Sequence, residues 1–305
     1  MEMDIKNRKG RAGRRLKAAF AAILIMGLLI GCTNTEKDAE VTKRAEPPKE
    51  GMTNFKTEDG RINIVMQNKG EFSADTLKQI KEEILGFYGE LQKEKMPFSP
   101  PSRIYLNLHN EQKVSSHNGG TINLYHISEG NYPLIHEMTH ALFNDENGQV
   151  TQEGLAIYMQ DTYSERSVNP NFKEDTHEIM KHLIFKGIMV PLETLLQEDR
   201  FFSYTNLDKD STSLRWLAYI ESASFTRYLI DEYGLEKFLK IHGNPNLTSE
   251  TQVVYGKSLE QLEGEWRQFL QNDPLPNEES VRGHNTGVQG VINHLDENKE
   301  RLLGG

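Results

Sequence analysis

His136-Glu137-Met138-Thr139-His140 is the segment of this chain whose residue types and spacing can do chemistry. On an α-helix, positions four apart lie on one face. Two imidazoles placed this way can reach one cation, with Glu137 beside them and within reach of a water on that cation. The flanking Leu134, Ile135, Ala141, Leu142 and Phe143 are apolar and can seat such a helix in a core. Two histidines and an acid on a buried face would be costly to desolvate without a cation to organise them. A satisfied, partly buried histidine pair is the simpler alternative. Catalytic zinc takes three protein ligands and keeps one position for water. Glu153, in Gln152-Glu153-Gly154-Leu155-Ala156, is the natural third ligand. The polar segment 144–150 supplies a turn, so the next helix can fold back antiparallel, and Gly154 removes a side chain where two helices would meet. The simpler reading of Glu153 is a first-turn acid favoured by the helix dipole.

These groups need elements to hold them. Arg61 to Gln67 alternates with period two and predicts a strand, after which Ser73 can cap a helix to about Lys93 with Leu77, Ile80, Ile84, Phe87 and Leu91 on one face. Arg103 to Leu108 and Thr121 to Ile127 are rich in β-branched and aromatic residues and predict two more strands, with the polar stretch His109 to Gly120 between them. Helical patterns follow over Pro133 to Phe143, Thr151 to Tyr163 and Lys173 to Lys186. Further helices are expected over Leu214 to Tyr233, Leu235 to His242 and Ser258 to Leu270. The fold class is therefore α/β (α+β): an N-terminal mixed sheet with a helix, an active-site helix, and a mostly helical C-terminal half.

At this point the pattern resembles a known family. His136-Glu137-x-x-His140 followed by Glu153-Gly154-x-Ala156 resembles the gluzincin metallopeptidases, and more closely the bacterial peptidase-MA-like families with a short gap. Tyr219, Ser224-Phe225, Tyr228-Leu229, Tyr233-Gly234, Leu262-Glu263, Trp266 and Phe269-Leu270 match their later segments. The resemblance covers about residues 55 to 270 and implies a zincin-like fold and a zinc endopeptidase. Zn2+ would be held by His136, His140 and Glu153, with Glu137 as general base. It also implies Tyr219 as donor to the oxyanion, with Tyr158 and His177 as alternatives. Thr121 to Ile127 would take the place of the edge strand that pairs with extended substrate. Two features depart from thermolysin. Ile157 stands where thermolysin has an acid four residues after its glutamate ligand, and the gap between His140 and Glu153 is shorter.

The remainder of the chain bears on where such an enzyme would work. Seven basic and two acidic residues precede an apolar stretch from Ala18 to Gly31. Fourteen residues rise roughly 21 Å as a helix, too short for a hydrocarbon core of about 30 Å, which predicts a signal peptide over residues 1–31. Leu29-Ile30-Gly31-Cys32 resembles the lipobox of bacterial lipoproteins, so Cys32, the only cysteine, is expected to carry a diacylglyceryl anchor on the outer face of the cell membrane. Residues 32–52 are too polar to fold and read as a tether, 53–271 as the peptidase domain and 272–305 as a mostly disordered tail, with one loosely attached helix over Val288 to Leu303. Without residues 1–31 the chain keeps 28 basic and 43 acidic residues, a formal charge of about −15 against −10 for the whole. Nucleic acid is excluded as a partner by that balance. The expected partners are a peptide or protein substrate and the membrane, with the chain a monomer. Two other readings stay open. One is a catalytically inactive zinc-binding lipoprotein that binds another envelope protein, against which the intact Glu137 weighs. The other is a binding module in which the histidine spacing is accidental, against which Glu153-Gly154 weighs.

Overall fold

The computed structural model describes residues 51–143, 148–272 and 284–304. The expected signal peptide, Cys32 and nearly all of the tether lie outside these residues, as do 144–147 of the expected turn and 273–283 of the tail. The described residues belong to one compact unit, Pro47–Gly305.

Five strands form one mixed sheet: β1 Met52–Lys56, β2 Asn63–Asn68, β3 Arg103–Leu108, β4 Ser116–Asn118 and β5 Thr121–Leu124, in the order β1-β2-β3-β5-β4. The parallel core of β2, β3 and β5 is built from Ile64, Met66, Ile104, Leu106, Leu108, Ile122 and Leu124, all buried. β1 and β4 close the two edges antiparallel. Neither was expected from the sequence. β4 lies in the stretch read as polar loop, since three residues are too few to show a period. What forms it is Gly119-Gly120, whose φ angles of +53° and +81° make a tight two-residue turn that pairs Asn118 with Thr121. The expected edge strand is thereby corrected. β5 is hydrogen-bonded on both sides, and β4 is the edge strand beside the helix that carries His136 and His140.

Helix α1 (Ala74–Lys93) starts where the Ser73 side chain accepts the Thr76 N–H and packs Ile80, Ile84, Phe87, Tyr88 and Leu91 into the core. The C-terminal half is helical: α2 Leu134–Phe143, α3 Gln149–Tyr163, α4 Thr176–Phe185, α5 Leu192–Gln197, α6 Lys209–Tyr233, α7 Leu235–Phe238, α8 Leu247–Tyr255, α9 Leu259–Asn272 and α10 Thr286–Leu302. α6 starts one turn earlier than its apolar pattern because Asp208 caps it, accepting the Ser211 N–H. α9 is set by a reciprocal cap in which Ser258 accepts the Gln261 N–H and the Gln261 side chain accepts that of Ser258. The last helix is held more firmly than its composition suggests, with Val288, Ile292, Leu295 and Leu302 buried and Lys186 paired to Asp296 at 2.9 Å. Among the described residues no helix is long and apolar enough to cross a membrane.

Candidate metal centre

Every residue of α2 is buried, so its polar groups must be accounted for inside the protein. The helix is entered through a loop pinned from outside. Arg166 forms a salt bridge to Glu83 of α1 at 2.9 Å, donates to Gly130 O, and bonds the Tyr132 hydroxyl just before Pro133. An N–H of the first turn, that of His136, is satisfied by Gln160 Oε1 of α3 at 3.1 Å. α3 in turn lies against α6 at Gly154. A Cβ there would come within 2.1 Å of Thr226 Oγ1 and 2.6 Å of Ser222 O, so only glycine permits this approach. Three helices are thus locked together around Glu153.

The result is a convergence of three ligand atoms. His136 Nε2 and His140 Nε2 are 3.1 Å apart, and Glu153 Oε2 lies 3.2 Å from the first and 3.7 Å from the second. Oε2 is buried and makes no hydrogen bond. Three ligand atoms converging on one point are the arrangement a cation completes, and this His136, His140 and Glu153 group can hold a metal ion. Burial alone would raise the Glu153 carboxyl, but the imidazoles of His140 and His136 outweigh it and hold Glu153 below the ordinary carboxylate range. Glu137 goes the other way. Its burial raises the carboxyl, and the same imidazoles offset only part of that.

A cavity of about 400 Å3 opens over these groups, lined by His136, Glu137, His140, Glu153 and Tyr219, and also by His117, Gln152 and Tyr204. Tyr219 donates to Glu153 Oε1 at 3.1 Å, and the Tyr204 and Tyr219 hydroxyls are 2.5 Å apart. Since Tyr219 directs its one hydroxyl proton at Glu153, Tyr204 is the donor of that second bond. Burial and the Glu153 charge keep both phenols protonated, pushing Tyr204 up to about 12 and Tyr219 well above its usual value. The five residues singled out in the sequence are therefore together in one site. Tyr158 and His177 do not line it. His177 bonds Ser224 in the helical core at 2.7 Å, and Tyr158 belongs to a separate cleft.

Sequence reasoning missed His117 and Tyr204. His117 comes from the edge strand β4, its ring stacked on that of His140 at 6.3 Å between centroids. Tyr204 comes from the loop between a 3₁₀ turn at Asp199–Phe201 and α6. Neither belongs to a periodic segment, so no local pattern marks them. The Ile157 side chain, one turn past Glu153, is buried and apolar, and offers the histidines no carboxylate. No family model matches the chain, and no curated protein matches it.

Proposed function

We propose that the protein is a zinc-dependent endopeptidase of the gluzincin kind, anchored on the outer face of a bacterial cell membrane through lipid on Cys32. The observation that carries the reading is the spacing of the three ligand atoms. Tetrahedral zinc with bonds of about 2.0–2.1 Å holds its ligands roughly 3.3–3.4 Å apart. The separations of 3.1, 3.2 and 3.7 Å straddle that value.

Bound zinc would supply a Lewis acid and a water acidified toward neutrality. The chain's own groups do the rest. Glu137 accepts the proton of the attacking water and returns it to the leaving amine nitrogen, a task suited to a carboxyl raised by burial. Tyr219 holds Glu153 in place, which leaves Tyr204 as the hydroxyl that can turn to the developing oxyanion. In the two-residue hairpin, alternation of the antiparallel ladder points the backbone N–H and C=O of His117 away from β5. An extended peptide can add to that edge above the metal ligands, by backbone bonds that need no particular sequence.

The test is bound zinc per chain measured together with cleavage of a peptide library by the purified protein. One zinc per chain and metal-dependent cleavage within peptides are expected. Zinc bound with no peptide or envelope protein cut would support instead the inactive zinc-binding lipoprotein, and absence of zinc would sink both.

A further inference from the structure

The loop that brings Tyr204 into the cavity is held from two directions. Inside, Arg215 of α6, itself buried, donates to Ser203 O at 2.8 Å and places its guanidinium 4.1 Å from the centre of the Tyr204 ring. Outside, both ends of the loop are tied to α10. Upstream, Arg200 donates to the Leu302 carbonyl at 3.3 Å. Downstream, Asp210, in the first turn of α6, receives Arg301 in a two-pronged bond of 2.6 and 2.9 Å and His294 at 2.8 Å. Tyr204 itself is nearly half exposed and its neighbours 205–208 are exposed, so little burial holds the loop by itself.

From this arrangement we infer that α10 is a working part of the site: it clamps the 202–208 loop through Asp210 and Arg200, and so keeps the Tyr204 hydroxyl over the metal ligands. The inference rests on the proposed role of Tyr204 in hydrolysis, but the clamp itself can be read without turnover. Asp210, Arg215 and Arg301 are positioning residues, since none lines the cavity. A bidentate Arg–carboxylate pair reinforced by a histidine fixes direction as well as distance, which a single exposed ion pair does not. The clamp acts on one loop and leaves the ligand helices α2 and α3 alone, so it affects the orientation of a hydroxyl and not the retention of metal.

The experiment compares the zinc-loaded full chain with Arg301→Met and Arg301→Lys, each alone and combined with Tyr204→Phe. The Arg301 side chain is 57% exposed, so these changes leave the core intact. Arg301→Met is expected to keep one zinc per chain and to speed amide hydrogen exchange over 203–207 by about tenfold. It should lower kcat about three- to tenfold with KM little changed, and Arg301→Lys should fall between it and wild type. In the Tyr204→Phe background, Arg301→Met should cost nothing further in kcat, because the group being positioned is gone. Unchanged exchange over 203–207 in Arg301→Met overturns the clamp whether or not any peptide is cut. An equal loss of kcat in both backgrounds shows that α10 acts on something other than Tyr204.

Discussion

Glu137, buried, and Glu153, partly buried, are two carboxylates around one histidine pair, and their surroundings push them in opposite directions. Glu153 is held ionised by the imidazoles it faces, which suits a ligand, while burial raises Glu137 toward a range where it can both take and give a proton. The division of roles gives a prediction at the scale of one atom. Glu137→Gln keeps the size of the side chain but cannot accept a proton, so bound zinc should stay at wild-type level while cleavage falls by about 10²- to 10⁴-fold. Alanine at His136, His140 or Glu153 should do the reverse and lower bound zinc first. Cleavage that survives Glu137→Gln would show that the activity comes from another site. At this scale the sequence was legible for the convergence of His136 and His140 with Glu137 between them, because a helix turns i, i+4 spacing directly into a shared face. It was silent on Tyr204, which sits in a loop sixty-odd residues away from the pair it joins.

Between elements, the decisive contact is that of α3 with α6. Gly154 is the point where the two helices touch, and its neighbour Glu153 belongs to the group that can hold a metal, so the geometry of that group and the helix packing are set by adjacent backbone positions. Gly154→Ala would drive its methyl into Thr226 Oγ1 and Ser222 O. The expected cost is on the order of 1–3 kcal/mol, seen as a drop in Tm, together with weaker zinc binding as α3 is pushed off α6 and carries Glu153 out of place. Adding Thr226→Ala should recover only part of the loss, because Ser222 O is backbone and stays. A neutral Gly154→Ala, checked by thermal unfolding with and without zinc, would mean the helices are not in close contact. Glycine in a helix could be suspected from the sequence as a crossing point, but its partner helix could not.

Over the whole molecule, the residues leading into α10 pack on a buried histidine. His182 of α4 is fully buried with neither ring nitrogen hydrogen-bonded, and its ring stacks on that of His284 at 5.2 Å. Burial, with His284 and Lys186 adding, pushes His182 down to about 4, while Asp296 opposes. An unfolded histidine binds its proton near pH 6.5. Between about 6.5 and 4 the unfolded chain therefore takes up a proton that the folded one refuses, and stability is lost as pH falls through that window. His182→Leu removes this load. The variant should gain on wild type by on the order of 2–3 kcal/mol between pH 7 and pH 4, measured by denaturant unfolding at each pH. A difference between the two that does not change with pH would place the histidine in contact with water. The proposed lipid anchor belongs to this scale as well. Cys32→Ser should lose its acyl mass and leave the membrane fraction, and tight membrane association without acylation would point to an uncleaved signal segment.

Local rules were enough for much of this protein. The period of the apolar residues predicted β2, α1, β3 and the helical second half, and the Ser73 and Ser258 caps could be read because a cap is made within four residues of itself. Three features were decided only by tertiary structure, each for a physical reason. β4 is a strand because β5 offers it a ladder and a glycine pair turns the chain, not because Ser116-His117-Asn118 prefers extension. The C-terminal helix is attached because Asp210, Lys186 and an apolar groove receive it, although its own sequence is polar enough to read as tail. Glu153 meets the two tyrosines because Gly154 lets α3 and α6 approach, and the energy of such a long-range contact is written in neither segment alone.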